Sequence, residues 1–259
     1  MSLPSNSLAK IRFRGYPRDR PVPREHQSRA VSPPLPVPPP EDPVLVIQEW
    51  LDEATRKAVQ RHPNTMTLAT VDAAGRPSAR VVLLKKLSVT EGFAVFHTHY
   101  GSRKGVELGR SPLAAAVMHW DELGRQVRLE GTAVPSPNEE SDEYFATRSW
   151  RSQLNAWVSE QSQPLSDPSV LLQRATEKAR QMGLPDPLHH GARDLEAPAQ
   201  RGLGRPPFWG GYRLWFAAVE LWMEGSDRFH DRLRYERSLT PLDTHTFQPG
   251  PWSSQRLQP

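Results

Sequence analysis

Thr65-Met-Thr-Leu-Ala-Thr-Val71 is apolar and β-branched, Asp72-Ala-Ala-Gly75 is a turn, and Ser78-Ala-Arg-Val-Val-Leu-Leu84 is a second apolar run. Two such runs flanking an Asp…Gly turn read as an antiparallel hairpin. More runs of the same kind follow on either side of a helical segment. Phe93–Thr98 is a third strand, and Leu113–Trp120 with Gln126–Val134 is a further pair. Tyr212–Met223, Arg228–Arg237 and a short Ser254–Leu257 complete the set. Helical spacing occurs between them. Val44, Val46, Ile47, Trp50, Leu51 and Ala54 recur on one stripe behind Asp42, which has the chemistry of an N-cap. Ser102–Leu108 has the length of a short helix. Ser136 with Glu139 fits a capping box for a helix through Phe145. Asp167–Met182 carries Pro168 at its first turn and Val170, Leu171, Ala175 and Ala179 on one side. Many strands at short spacing with a few helices predict a mainly β protein, a closed barrel with α additions.

The composition narrows the class. No apolar run is long enough to span a membrane, and the first residues lack the apolar core of a secretory signal. Absence of such signals sets a cytoplasmic expectation. With no cysteine among 259 residues, disulfides, a thiol nucleophile and cysteine-ligated metals are excluded. The net charge of +4 is unevenly placed. Residues 1–32 hold seven Lys and Arg against Asp19 and Glu25, so the remaining chain is close to neutral and no nucleic-acid partner is expected. Residues 1–41, with Ser32-Pro-Pro-Leu-Pro-Val-Pro-Pro-Pro40, read as a disordered Pro- and Arg-rich leader, and 42–259 as one domain. Residues 183–207 are rich in Gly, Pro, Arg and His and read as a long loop.

Cations interrupt the apolar segments in four places. In Arg80-Val-Val-Leu-Leu-Lys85 alternation sets Arg80, Val82 and Leu84 on one face and Val81, Leu83 and Lys85 on the other. A cation at each end suits an anion at a barrel rim, and equally a charged edge strand. Ser102-Arg103-Lys104, at a helix start, offers a hydroxyl, two cations and free N–H groups to a phosphate, or simply a solvated first turn. Tyr144, Arg148 and Ser152 recur every four residues, on one face of a helix, as an anion site or a polar surface stripe. Arg228, His230 and Arg232 alternate onto one strand face behind Trp222, a second cationic face that open solvent would also satisfy. His97 and His99 share a strand face without an acidic partner at ligand spacing, so no metal site is expected.

Taken in order, these segments resemble the pyridoxamine/pyridoxine 5′-phosphate oxidase family. The resemblance rests on Met66–Val71, Gly75–Arg80, Val81–Lys85, Gly101-Ser-Arg-Lys-Gly105, Arg125-Gln-Val-Arg128, Tyr144-Phe, Ser152-Gln153, Gln161-Ser162, Trp209-Gly-Gly211, Arg228-Phe-His-Asp-Arg-Leu233 and Arg256-Leu-Gln-Pro259. It spans about residues 43 to 259 and implies an FMN-binding split β-barrel working as a homodimer, with FMN at the subunit interface. Carried over residue by residue, it implies that Arg80, Val81, Val82, Leu83, Leu84, Lys85, Thr98, Arg103, Lys104, Gln126, Gln161, Ser162, Trp222 and Arg232 hold FMN. It implies that Lys85, Tyr144, Arg148 and Ser152 grip a substrate phosphate, and that Arg228 and His230 act catalytically over the substrate ring.

The reaction so implied oxidises pyridoxamine or pyridoxine 5′-phosphate to pyridoxal 5′-phosphate. A hydride leaves the substrate C4′ for the flavin, and O₂ takes the two electrons to give H₂O₂. Departures from the family pattern are His97 for tyrosine, Asn155 for glycine, Met223-Glu224 for Gln-Gly and Phe229 for leucine. A related branch that oxidises dihydrophenazine intermediates shares the scaffold and the Arg-Leu-Gln-Pro ending. It is the alternative reading, and a non-enzymatic flavin- or pyridoxal-phosphate-binding protein is a second. Retention of Lys85, Arg148 and Ser152 favours a phosphorylated substrate.

Overall fold

A computed structural model describes residues 34–188 and 203–259. The first helix, α1 (Pro43–Arg56), starts where the sequence places it: Asp42 accepts a hydrogen bond from Val44 N–H at 2.8 Å, and Pro43 fills the first helical position. It buries Val44, Ile47, Trp50 and Ala54 against the sheet. Ile47 is fully buried, so truncation to alanine costs about 2–5 kcal/mol.

The strands are β1 (Thr65–Val71), β2 (Pro77–Leu83), β3 (Lys86–Ser88), β4 (Phe93–His99), β5 (Leu113–Trp120), β6 (Arg125–Pro135), β7 (Trp209–Met223), β8 (Asp231–Glu236), β9 (Leu239–Pro241), β10 (Phe247–Pro249) and β11 (Ser253–Leu257). The β1–β2 hairpin pairs Leu68 with Arg80, and its turn is held by Asp72, which accepts from Ala74 and Arg76 N–H. One sheet runs β11-β8-β7-β6-β5-β1-β2, and all its pairs are antiparallel. Alternation buries Met66 and Leu68, Met118 and Trp120, and Val127 and Leu129 in its core.

β7 is the spine of the fold. One edge pairs with β6 along nearly its whole length. The other edge pairs first with β4 (Trp209–Trp215) and then with β8 (Ala218–Met223). The sheet therefore forks at the middle of β7. β2 and β4 come side by side without a ladder between them among the described residues. The closed barrel expected from strand count is thus a split one, and the opening between β2 and β4 is where the candidate site lies.

The helices beyond α1 are α2 (Arg103–Arg110), α3 (Asn138–Ala146), α4 (Trp150–Val158) and α5 (Pro168–Gln181). Two expectations change here. Ser136 does not cap α3: Pro137 holds the cap position without a side-chain bond, and Ser136 is drawn inward, its N–H donating to Gly211 C=O at 2.9 Å. The helix expected to carry Tyr144, Arg148 and Ser152 together is broken, because Ser149 caps a new helix by accepting from Ser152 N–H.

The boundary expected at residue 41 also moves. Leu35 is buried in the main core, its N–H donates to Asp231 at 2.8 Å, and Tyr235 OH donates to Pro40 C=O at 3.0 Å. Asp231 also accepts from Arg256, whose other nitrogen donates to Leu35 and Pro36 C=O. An isolated apolar residue in a proline run gives no periodicity, so sequence patterning passes over it. The rest of the expected disordered leader, 1–33, and residues 189–202 of the expected loop lie outside the described residues.

Candidate functional site

A cleft of 660 Å³ opens at the split, lined by residues of β2, β4, the first turn of α2, α3, α4 and the segment after it. Of the residues singled out from sequence, it gathers Arg80, Val81, Val82, Leu83, Lys85, Thr98, Arg103, Lys104, Tyr144, Arg148, Gln161 and Ser162. These positions are far apart in the chain. They meet because the β1–β2 hairpin and the β4–α2 corner flank the same opening.

One end of the cleft is a polar cradle. Ser102 caps α2, accepting from Gly105 N–H at 3.3 Å. Lys104 is buried, and its Nζ donates to Gln161 Oε1 at 3.1 Å and to Ser102 Oγ at 3.3 Å. Thr98 Oγ1 donates to the same Gln161 oxygen at 3.0 Å, which leaves the Gln161 amide nitrogen to face a ligand acceptor. Burial, with the nearby Arg80 charge, pushes the Lys104 ammonium down to about 8.

Beneath this cradle lies Glu107, a residue not singled out from sequence. Its carboxylate accepts from Ser78 Oγ at 2.8 Å, Arg80 Nη2 at 3.2 Å, Arg103 Nε at 2.8 Å and the Thr70 hydroxyl. Burial alone would raise its pKa. The bonds from Thr70, Arg103 and Ser78 outweigh that and bring it to about 2. The four-residue step from Arg103 to Glu107 on one helix face was the available signal. Arg80 is held by this cluster, with Nη1 also donating to Thr70 Oγ1 at 2.5 Å and Leu68 C=O at 3.3 Å.

The other end is aromatic and cationic. Lys85 Nζ lies 5.5 Å from the centre of the Tyr144 ring, and Arg148 lies 4.6 Å from that of Trp209. The Nη1 of Arg148 is buried with no hydrogen-bond partner among the described residues. His97 stacks on Tyr144 at 4.0 Å and on Trp209 at 5.3 Å, and neither ring nitrogen has a hydrogen-bond partner among the described residues. Burial brings His97 down to about 4; the Glu140 charge opposes it, and the charges of Arg148, Lys85 and Arg205 each add a smaller push downward. It is therefore neutral at ordinary pH. The register makes room for it: His97 pairs with Gly211, where a Cβ would stand 2.6 Å from Ser136 Oγ and 3.2 Å from His97 Nε2.

Seven expected site residues are not part of this cleft in the same chain. Leu84 is in the core, its N–H donating to Asn64 C=O at 2.9 Å. Ser152 is taken up in the α4 cap, its Oγ accepting from Ser149 Oγ at 2.9 Å. The other five gather at the opposite end of β7. Gln126 pairs with Trp222, and Trp222 with Arg232. Trp222 meets the His230 ring at 4.6 Å, and Arg232 Nε donates to buried Glu220 at 3.0 Å. Arg228 does not alternate with them along a strand. It sits in a tight turn where Asp227 and Arg228 both have positive φ, 50° and 67°, and it is exposed. Left-handed backbone at two successive non-glycine residues is strained, a feature that clusters at functional sites.

Comparison with known proteins accords with this geometry. Residues 51–183 match the family model described as pyridoxamine 5′-phosphate oxidase, and residues 209–259 match the pyridoxine 5′-phosphate oxidase C-terminal dimerisation region. The chain is 41% identical over 218 residues to a pyridoxine/pyridoxamine 5′-phosphate oxidase of Microcystis aeruginosa, covering 84% of this chain and 89% of the relative. It is 44% identical over 218 residues to one from Paraburkholderia phytofirmans, with the same coverage. Among solved structures, PhzG from Burkholderia lata 383 in complex with tetrahydrophenazine-1-carboxylic acid superposes with a TM-score of 0.70 at 32% identity, covering 85% of this chain and 94% of that one. An FMN-binding protein of Nostoc punctiforme shares the fold, with a TM-score of 0.53 at 16% identity over 83% of this chain and 95% of its own. With matches that run through both the cleft and the far end of β7, the chain belongs to the pyridoxamine 5′-phosphate oxidase family, a family of oxidoreductases.

Proposed function

We propose that this chain is an FMN-dependent oxidase that converts pyridoxamine 5′-phosphate and pyridoxine 5′-phosphate to pyridoxal 5′-phosphate, with O₂ as acceptor and H₂O₂ as product. The observation that carries this reading is the pair of separate cationic groups in one cleft. Arg103 and Lys104 stand at one end, and Lys85 and Arg148 at the other, with Arg148 Nη1 buried and without a hydrogen-bond partner among the described residues. A buried guanidinium nitrogen without an acceptor is costly unless an anion completes it. Two phosphates, one of a flavin and one of a substrate, account for both groups.

The residues present fit FMN. The cradle of Thr98, Arg103, Lys104, Gln161 and Ser162 supplies cations and amide donors for a phosphate, and the Arg80–Leu83 backbone of β2 lines the adjoining wall. Bound FMN would supply the two-electron chemistry. The chain's own residues orient and exclude. Lys85, Tyr144 and Arg148 hold the substrate phosphate, and neutral His97 with Trp209 closes the aromatic wall behind it. Nothing in this assignment requires a strong base, because orientation and charge placement supply the protein's share.

Gln126, Trp222, Arg228, His230 and Arg232 complete the site only from a second chain. Trp222 lies about 40 Å along β7 from Trp209 at the usual strand rise. A twofold pair brings the far end of one chain's β7 to the cleft of the other. There Trp222, Gln126 and Arg232 meet the flavin, and Arg228 and His230 cover the substrate.

The similarity to the Burkholderia lata protein favours a second reading, oxidation of a dihydrophenazine carboxylate on the same scaffold. Placement of Ser152 in a helix cap, outside the cleft, also removes one donor from the phosphate site. Anaerobic mixing separates the two. Pyridoxamine 5′-phosphate should bleach the flavin, and air should restore the colour with release of peroxide. Bleaching by a dihydrophenazine carboxylate and by neither phosphorylated vitamer would replace the first reading with the second. Reduction by none of them would leave a binding protein.

A further inference from the structure

Glu107 is a carboxylate buried beneath cations in a site that must attract anions. Its side chain is 5% exposed, yet it lies directly under Arg80 and Arg103, both of which line the cleft. An acid so placed subtracts attraction from any phosphate bound above it. Its bonds indicate what it contributes instead. Arg103 is 60% exposed and its Nε is engaged, donating to Glu107 Oε1 at 2.8 Å. The other guanidinium nitrogens of Arg103 make no hydrogen bond among the described residues. A long exposed side chain normally loses substantial rotamer freedom when a ligand fixes it. Here one edge of the fork is already fixed by a buried, fully satisfied anion.

We propose that Glu107 is a positioning residue: it clamps Arg103 by Nε so that the rest of the guanidinium is held ready for the phosphate of the bound flavin. The anchor is rigid because its donors come from three elements, Thr70 on β1, Ser78 and Arg80 on β2, and Arg103 on α2. It also spaces the charges. Arg80 and Arg103 share one carboxylate, so the two cations stand together without repelling each other out of the cradle. The role rests on the FMN reading above and adds to it a residue that touches no ligand.

The test is a double-mutant cycle on the flavin-loaded protein, with FMN release followed by flavin fluorescence on serial dilution. Glu107→Gln keeps the shape and removes the charge. It should weaken FMN binding about tenfold, the scale of one charge-assisted hydrogen bond. In an Arg103→Ala background the same change should weaken binding by no more than about threefold, because Arg103 is gone and only the bond to Arg80 remains to be lost. Glu107→Asp, which keeps the charge but shortens the reach, should show the same dependence on Arg103 and serves if the glutamine variant does not fold. Equal weakening in both backgrounds would mean that Glu107 only holds α2 on the hairpin, and the role would be wrong. Unchanged or tighter FMN binding in Glu107→Gln would also overturn it. A wild-type protein that takes up no FMN at all would overturn the flavin reading itself, and this role with it.

Discussion

The guanidinium carbon of Arg148 stands 4.6 Å from the centre of the Trp209 ring, and the arginine's Nη1 is buried there without a hydrogen-bond partner among the described residues. The ring fixes the cation, and the cleft leaves its Nη1 free to donate to an anion. Arg148→Ala should therefore lower kcat/KM for pyridoxamine 5′-phosphate by about 2–4 kcal/mol, the scale of losing a buried charge partner. FMN content should not change, and the unphosphorylated amine should be affected far less. Equal losses for the two substrates would take the phosphate away from Arg148.

Lys104 gives the cradle a pH dependence. Burial and the Arg80 charge place its ammonium at about 8, so it is a cation below that value and neutral above it. FMN affinity should hold between about pH 7 and 8 and fall as pH rises past about 8, since above pH 7 the phosphate, whose second pKa is about 6, stays a dianion. Fluorescence titration across that range should show the step in the wild type and none in Lys104→Ala. Replacing Arg103 and Lys104 together by alanine should weaken FMN by about 2–4 kcal/mol.

His97 affects stability in a different window. In the fold it stays neutral down to about 4, whereas in the unfolded chain it takes up a proton near 6.5. Its contribution is complete above 6.5 and is lost as pH falls from there towards 4. Between about pH 7 and 5 the loss amounts to about 2 kcal/mol. Urea unfolding at those two values should show that difference in the wild type and much less in His97→Phe. Glu107, held at about 2, adds its own loss only below 4.5.

The segment before α1 is part of the fold. Leu35 is 4% exposed in the core, and its backbone is tied to Asp231 and Arg256. Leu35→Ala should destabilise the protein by about 2–4 kcal/mol, as other buried leucines do. Deletion of residues 1–40 should lower the thermal midpoint at least as much. An unchanged midpoint would show that the contact contributes nothing.

The flavin-loaded protein should scatter light as a pair of 29.3 kDa chains. Loss of the far-end residues should then act on a neighbouring chain's flavin. Trp222→Ala and Arg232→Ala should lower FMN content although neither residue lines the cleft of its own chain.

Much of this fold was legible because its strands alternate. Thr65–Val71 and Leu113–Trp120 fall where the apolar pattern puts them, and Asp42 and Asp167 cap the helices that their spacing predicts. What the pattern could not carry is where a periodic stretch is interrupted. The i, i+4 spacing of Tyr144, Arg148 and Ser152 holds across a break that only the Ser149 cap reveals. Arg228 alternates correctly in sequence but sits in a left-handed turn. For the site, local motifs gave the cations. The motifs did not show which end of the molecule each occupies. That depends on β7 having Trp209 at one end and Trp222 at the other. Glu107 escaped notice because a glutamate on a short helix is ordinary until the hairpin is folded beneath it.

β7 runs unbroken from Trp209 to Met223. In the twofold pairing proposed above, one continuous strand serves two reaction centres, one at each tip. Injury to the enzyme would then be shared out by chain partnership. A subunit carrying Arg148→Ala ruins its own cleft, whereas one carrying Arg232→Ala ruins its neighbour's. Co-assembled, the two defects fall together on a single centre, and the other centre is built wholly from sound parts. Two preparations that are each inactive should regain turnover when their chains are exchanged, a form of mutual rescue that no self-contained monomer could show.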